Sequence, residues 1–214
     1  MAGLDLLIIV VYALTLVYVA RQALGEMEDW ATVQLDRDGL KEELNRADLQ
    51  GKVNINVGLK PRYGFEPIAD LALSISNSSP APIYVDWDRS SLTNFQGRSR
   101  RVIRVTPSMN LDLSRPQVFS VIAPGKSLSE RVVAEDMLKR TPEGILQVAA
   151  PLVDLGAARG LPDEGKLEFS LRLLLLLVEQ ERQVDDDVTT HAVLCRFIVR
   201  RIPWNHDIPW LRKK

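Results

Sequence analysis

The sequence predicts a mainly β protein, an antiparallel β-sandwich preceded by a single apolar N-terminal helix. The first observation is the run of residues 6–20, LLIIVVYALTLVYVA, which contains no charged side chain. The second is the chain after Gly51, where short runs of alternating apolar and polar residues are separated by clusters of Pro, Gly, Asn and Ser. Strands of this kind, with no helical pattern alternating between them, are typical of a sandwich rather than of a parallel α/β sheet.

Composition and charge indicate a folded protein and narrow the function classes. Apolar residues make up 46% of the chain and charged residues 26%, a balance that is typical of globular domains. The formal net charge of −1 argues against a nucleic-acid partner, because nucleic-acid binders usually carry a strong basic excess. Cys195 is the only cysteine, so the chain has no internal disulfide framework.

Residues 3–24 are predicted to be a transmembrane anchor, which makes this a single-pass membrane protein. A span needs about 20 apolar residues, and the long stem of Arg21 allows the helix to continue to Leu24. A cleaved signal peptide is an alternative, but it needs basic residues before the apolar run, and residues 1–5 contain none. A buried core helix is the other alternative, although the run is apolar on every face.

The charges around this run favour a β domain on the cytoplasmic side of the membrane. Lys and Arg are absent before the run, whereas Arg21, Arg37 and Lys41 follow it. By the positive-inside rule, the flank with more basic residues faces the cytoplasm. The opposite orientation stays open, because only Arg21 lies close to the run.

Residues 25–50 are predicted to form a short helix that links the anchor to the β domain. Leu40 and Leu44 recur at helical spacing, and Asp36 or Asp38 stands where an N-cap is expected. The predicted division of the chain is 1–24 for the anchor, 25–50 for the linking helix, 51–202 for the β-sandwich and 203–214 for a C-terminal tail.

Eight strands are predicted after residue 50. They are residues 53–59, 68–76, 83–87, 100–105, 117–122, 127–133, 166–181 and 188–202. The last two are the longest, and they are expected to form an antiparallel hairpin. Residues 173–178 are apolar at every position, which predicts a strand that is buried on both faces. Residues 90–98 are expected to be a turn region, and residues 135–165 a short helix with a loop.

Three segments are similar to immunoglobulin-like β-sandwiches of bacterial envelope proteins. Residues 75–79, ISNSS, and residues 82–88, PIYVDWD, resemble the strand, Asn-rich turn and strand that open such domains. Residues 121–127, VIAPGKS, resemble the I-x-P-G-x-S turn of such sandwiches, including the desiccation-related group of the LEA type 2 kind. The resemblance implies an immunoglobulin-like sandwich that offers no catalytic residues. It also implies an envelope location, which opposes the cytoplasmic prediction.

No catalytic, cofactor-binding or metal site is predicted. His191 and Cys195 lie four residues apart on one strand, which separates them by about 13 Å at ~3.3 Å per residue, too far for proton transfer. Residues 185–187 are three consecutive aspartates, but they lack the one-in-two ligand spacing of a calcium loop. A solvated turn is the expected structure for these aspartates.

Two segments are candidate contact surfaces for a partner or a membrane. The first is an arginine cluster that consists of Arg98, Arg100, Arg101 and Arg104. These arginines are expected to form a solvated sheet edge or to meet phosphate groups and anionic lipids. The second is the C-terminal tail, with the candidate residues Trp204, Trp210, Arg212, Lys213 and Lys214. Trp beside cations is typical of membrane interfaces and of binding hot spots, and packing on the β domain is the third alternative.

The leading functional hypothesis is a non-catalytic scaffold or interaction subunit that is anchored in a membrane and binds another membrane-associated protein. One alternative is a lipid- or small-ligand-binding domain, suggested by residues 173–178. The other is an enzyme whose carboxylates, such as Asp70, Asp86 and Asp88, meet in space.

Overall fold

The computed structural model describes residues 2–25, 29–106, 113, 115–142, 144–178 and 188–203. The helices are α1 (Ala2–Gly25) and α2 (Arg37–Arg46), with two 3₁₀ helices at Glu135–Met137 and Leu155–Gly160. The strands are β1 (Trp30–Leu35), β2 (Val53–Gly58), β3 (Leu71–Asn77), β4 (Ile83–Thr93), β5 (Ser99–Arg104), β6 (Ser120–Ile122), β7 (Ser127–Ala134), β8 (Leu138–Arg140), β9 (Leu146–Val148), β10 (Lys166–Val178) and β11 (Val188–Ile202). Among the described residues, none of the helices combines the length and the apolarity that crossing a membrane requires.

Nine of the strands form one antiparallel sheet that wraps around a single main core. Its order is β1-β11-β10-β4-β5-β7-β3-β2, with β6 paired to β4 beside this path. β5 joins the two halves, because residues 99–101 pair with β4 and residues 102–104 pair with β7. The sheet is therefore a nearly closed, barrel-like layer, and the prediction of a mainly β, antiparallel fold is confirmed.

The alternation of the sequence determines which side chains fill this core. In β2, Val53, Ile55 and Val57 are buried and alternate with exposed residues, because successive side chains of a strand point to opposite faces. The largest fully buried side chains are Trp87 of β4 and Phe197 of β11. Burial of such a side chain stabilises the fold by roughly 1.5–3 kcal/mol.

A smaller apolar cluster lies on the opposite face of β5 and β7. It consists of Ile103, Val133, Leu138 and Leu146. Leu138 and Leu146 belong to the separate hairpin of β8 and β9, which therefore covers this part of the sheet from outside. This hairpin lies within residues 135–165, where the sequence predicted a short helix and a loop.

The predicted hairpin near the C-terminus is confirmed. β10 and β11 pair from Lys166 opposite Arg200 to Val178 opposite Val188. Of the leucines expected to be buried on both faces of β10, Leu174 is only 7% exposed, whereas Leu176 is partly exposed. The outward face of this hairpin is therefore not fully covered by the described residues.

Two segments differ from the sequence-based expectations. Residues 30–35 form strand β1 rather than helix, because Ala31 and Val33 point into the core and the backbone pairs with β11 along its length. The helix that follows is α2, and the Asp36 carboxylate caps it by accepting the N–H of Gly39 at 3.0 Å. β4 continues to Thr93 through part of the expected turn region, since residues 91–93 pair with both β5 and β10.

Asn77, in the segment ISNSS, ties β3 to β6 at the turn that precedes β4. Its side chain is 2% exposed, and its Nδ2 donates to the carbonyls of Ala81 at 2.8 Å and Ile122 at 2.9 Å. Its Oδ1 accepts the backbone N–H of Ser79 at 2.8 Å and the Ser79 hydroxyl at 2.7 Å. The neighbouring turn is also confirmed, with φ of 69° at Gly125, a conformation that favours glycine. The resemblance to immunoglobulin-like domains stays a prediction.

Candidate functional site

α1 exposes apolar side chains in every direction around its axis. Residues 7–11 are consecutive large apolar residues, and their exposed fractions lie between 48% and 64%. Consecutive residues of an α-helix are separated by about 100°, so these five side chains cover the whole circumference. A soluble monomer rarely exposes a contiguous apolar surface of this size. α1 is therefore an apolar surface that the described part of the β domain does not cover.

The chain enters and leaves the β domain at neighbouring positions of the sheet. Trp30, the first residue of β1, lies opposite Ile202, the last residue of β11. Gly25 is five residues before Trp30, a distance of at most about 18 Å for an extended chain. The described chain ends at Pro203, directly after β11. The C-terminal tail therefore begins at the end of the sheet that α1 also adjoins.

The tail candidates themselves lie outside the described residues. They are Trp204, Trp210, Arg212, Lys213 and Lys214. The three consecutive aspartates at residues 185–187 lie outside the described residues as well.

The arginine cluster that the sequence singled out is neutralised by carboxylates. Each of its four guanidinium groups has a carboxylate oxygen at 3.0–3.8 Å. The pairs are Arg98 and Arg100 with Asp136, Arg101 with Asp88 and Glu135, and Arg104 with Glu130. Only Arg98 has a mostly exposed side chain, and the other three are one-quarter exposed or less. The structure thus brings the four arginines together with enough negative charge to compensate them.

A different set of arginines is exposed on the outward face of the β10–β11 hairpin. Arg172, Arg196 and Arg200 are all exposed, and none of them forms an ion pair with a carboxylate of the described residues. They alternate with fully buried neighbours, such as Leu171 before Arg172 and Phe197 after Arg196. We call the surface that these three arginines share with their outward neighbours the outer basic face.

Half-exposed apolar side chains surround the arginines on the outer basic face. Leu194 lies opposite Arg172, and Ile198 lies between Arg196 and Arg200 on the same side of β11. Trp30 of the adjacent β1 is 42% exposed and points to the same side as these residues. The signal for this face was present in the sequence as strand parity, but it was visible only once the pairing of the strands was known.

Charge on the outer basic face is unbalanced. The carboxylate of Glu168 is the one acidic group among the outward residues described on β1, β10 and β11, and it pairs with Lys166 at 2.8 Å. Among the described outward residues of these three strands, the three arginines therefore leave an excess of three positive charges.

Cys195 is a structural residue of the core. Its side chain is fully buried, and burial raises the pKa of the thiol from 9.0 to about 12. Since only the thiolate is a good nucleophile, the thiol is unreactive at neutral pH. His191 is partly exposed at the same side of β11. Within the described parts of the chain, no group of three or more His, Cys, Asp or Glu side chains is placed to hold a metal ion.

The three carboxylates considered for an enzyme site each have a separate basic partner. They are Asp70 with Arg131 at 3.9 Å, Asp86 with Arg89 at 3.5 Å, and Asp88 with Arg101 at 3.6 Å. Asp86 is buried and also accepts the backbone N–H of Arg89 at 3.1 Å. These ion pairs give each carboxylate a structural role.

A cleft of about 700 Å³ opens between the edges of β1 and β2, which are the two ends of the sheet order. Its lining includes Val33, Leu35, Arg37, Val57 and Lys60. Among the described residues, β1 pairs with the segment that follows β2 through Ala31 and Tyr63, and Pro61 has no N–H with which to extend that pairing. We call this opening the seam cleft. Residues 173–178 do not line it.

No protein-family model, curated protein or solved structure matches this chain. Its function is therefore inferred from the chemistry of α1, the outer basic face and the seam cleft.

Proposed function

We propose that α1 anchors the chain in a lipid bilayer as a single-pass helix, and that the β domain is a non-catalytic interaction module at the membrane surface. The observation that supports this proposal is the apolar surface that α1 exposes on all sides. The proposal goes beyond the hydropathy of the described helices, none of which is long and apolar enough to cross a membrane. It rests on the exposed apolar side chains of α1, whose 24 residues extend about 36 Å at ~1.5 Å per residue, against a hydrocarbon core of about 30 Å.

Flotation of the full chain with neutral phosphatidylcholine vesicles tests the anchor. We expect the protein to float with the vesicles at high salt, and the double variant Ile9→Asp/Leu16→Asp to stay in the aqueous fraction. A charged residue at the centre of a membrane helix costs about 3 kcal/mol, so two such residues lower partitioning by roughly 10⁴-fold. The matched control is Ser78→Asp/Gln96→Asp, which adds the same charges at exposed positions of the β domain. Equal flotation of all three proteins would rule out anchoring by α1.

The proposed partner is another membrane-associated protein, and the C-terminal tail is the proposed contact. The last described residue, Pro203, follows β11 beside the start of β1, so the tail starts at the end of the sheet to which α1 is connected. Trp and Arg contribute strongly to protein interfaces. We expect Trp204→Ala/Trp210→Ala to lower chemical cross-linking to a partner in native membranes, whereas Lys126→Gln leaves it unchanged. Unchanged cross-linking in the Trp variant would contradict the role of the tail.

A second candidate function is the binding of a small apolar anion in the seam cleft. Val33, Val57 and Leu59 supply apolar lining, and the charged lining residues are Asp36, Arg37, Asp38 and Lys60. Asp38 and Lys60 pair with Lys41 and Glu66, and Asp36 caps α2, whereas Arg37 forms no ion pair with a described carboxylate. The fluorescent probe anilinonaphthalene sulfonate has this combination of an apolar body and a negative charge. We expect the probe to bind the full chain in detergent-free vesicles and to lose affinity in Arg37→Glu/Lys60→Glu. Equal affinity in the two proteins would remove the seam cleft as a ligand site.

A further inference from the structure

We propose that the outer basic face binds anionic lipid headgroups, so that the β domain lies with the β1–β11–β10 side of its sheet against the bilayer. The inference rests on the proposed anchoring by α1, which brings this side of the domain to the membrane. The proposed lipid contact is therefore the outer basic face and not the arginine cluster of residues 98–104 that the sequence singled out.

The first argument is charge complementarity. The guanidinium groups of Arg172, Arg196 and Arg200 are exposed and have no carboxylate partner among the described residues, whereas the four arginines of the other cluster are all paired. An anionic headgroup can therefore approach the outer basic face without first breaking an ion pair. Each basic residue near an anionic surface increases binding by about five-fold, so three such residues account for roughly a hundred-fold.

The second argument is the short connection to α1. Trp30 belongs to the same face, and the chain can extend by at most about 18 Å between Gly25 and Trp30. Electrostatic attraction to a membrane surface decays over about 10 Å at 0.1 M salt. The connection is longer than this decay length when fully extended, so it allows the face to reach the headgroups, and the attraction of the arginines must hold it there.

The third argument is the apolar surface between the charges. Trp30, Leu194 and Ile198 are exposed or half-exposed on this face, and Trp is enriched at the boundary between hydrocarbon and headgroups. Apolar side chains among cations are the combination by which peripheral surfaces bind anionic bilayers. An acidic protein would satisfy the charges, but it would not explain the connection to α1.

The experiment uses the full chain with its anchor disabled, so that binding by α1 does not mask binding by the face. The protein carries Ile9→Asp/Leu16→Asp, and its sedimentation is compared on neutral phosphatidylcholine vesicles and on vesicles that contain phosphatidylserine. We expect binding to the anionic vesicles only. Adding Arg172→Gln, Arg196→Gln and Arg200→Gln should reduce this binding by roughly a hundred-fold.

The matched control removes three exposed cations from other parts of the domain, Lys126→Gln, Arg131→Gln and Lys139→Gln. It has the same net charge as the test variant and should keep most of the binding. Circular dichroism and thermal melting verify that both variants are folded.

Two results would overturn the proposal. One is equal loss of binding in the control, which would mean that net charge rather than this face attracts the vesicles. The other is that the protein binds anionic vesicles no better than neutral ones, which includes no binding to either, the result expected if the face were specific for an acidic protein. If the unmodified chain fails to float with neutral vesicles while the disabled form still binds anionic ones, the anchor proposal fails and the lipid contact stands.

Discussion

Asn77→Ala is expected to destabilise the β domain by about 4 kcal/mol. The substitution removes all four hydrogen bonds of the buried Asn77 side chain. The Ser79 hydroxyl lies 2.8 Å from the Ala81 carbonyl, so it can satisfy that acceptor after the change. The Ile122 carbonyl and the Ser79 N–H lose the bonds that Asn77 makes to them. A buried polar group without a partner costs roughly 1–3 kcal/mol, and two such groups give about 4 kcal/mol.

Urea denaturation of the full chain in mild detergent, followed by Trp fluorescence, measures this loss. The free energy of unfolding falls by about 2 kcal/mol per molar urea, so the midpoint of unfolding should fall by roughly 2 M. The control is Ser78→Ala, at the exposed residue next to Asn77, and it should change the free energy of unfolding by less than about 0.5 kcal/mol. Asn77→Asp should be more harmful at neutral than at acidic pH, because its carboxylate would face two carbonyl oxygens. A loss below about 1 kcal/mol in Asn77→Ala would refute the assignment of Asn77 as the group that joins β3 to β6.

Three further predictions concern buried and ion-paired side chains. The raised pKa of Cys195, about 12 against 9.0, means that the unfolded chain loses this proton first as pH rises. The contribution of the buried thiol to the free energy of unfolding is therefore fully present below pH 9.0. Above pH 9.0 this contribution falls by about 1.4 kcal/mol per pH unit. Urea titrations should show that stability falls more steeply above pH 9.0 in the natural chain than in Cys195→Ala, by about this amount per pH unit. Trp87→Phe, which removes the indole donor to Ser120 at 2.9 Å and leaves a void, should cost about 2–3 kcal/mol in the same assay. Arg101→Gln should lower stability by about 1–2 kcal/mol, since Arg101 pairs with Glu135 at 3.0 Å, yet leave the sedimentation with phosphatidylserine vesicles unchanged.

Local patterns predicted most of the strands because a strand buried on one face has a period of two that can be read without knowing its neighbours. β2, β3, β5, β7 and β11 lie within a few residues of their expected positions for this reason. β1 was missed although Ala31 and Val33 follow the same alternation. The run is short and stands between an apolar helix and a helical pattern, so the pairing with β11 decides its conformation. β4 was cut short for a related reason, because its continuation to Thr93 depends on pairing with β5 and β10.

The candidate surfaces were harder to predict than the strands. A cluster of arginines in the sequence indicates a net positive surface only if no carboxylate pairs with it in the fold. The carboxylates of Glu130, Glu135 and Asp136 are 26–38 residues away along the chain from the arginines that they pair with. The arginines of the outer basic face are dispersed between residues 172 and 200, and the antiparallel register of β10 and β11 brings them to one side.

The sequence by itself determined that residues 6–20 form an uncharged apolar run and that a mainly β domain follows it, because apolarity and alternation are properties of neighbouring residues. The tertiary structure decided that the sheet is one continuous, nearly closed layer and which cations remain without an acidic partner. Both outcomes depend on contacts between residues that are distant along the chain, and the free energy of such contacts is set by the geometry of the whole fold rather than by any local pattern.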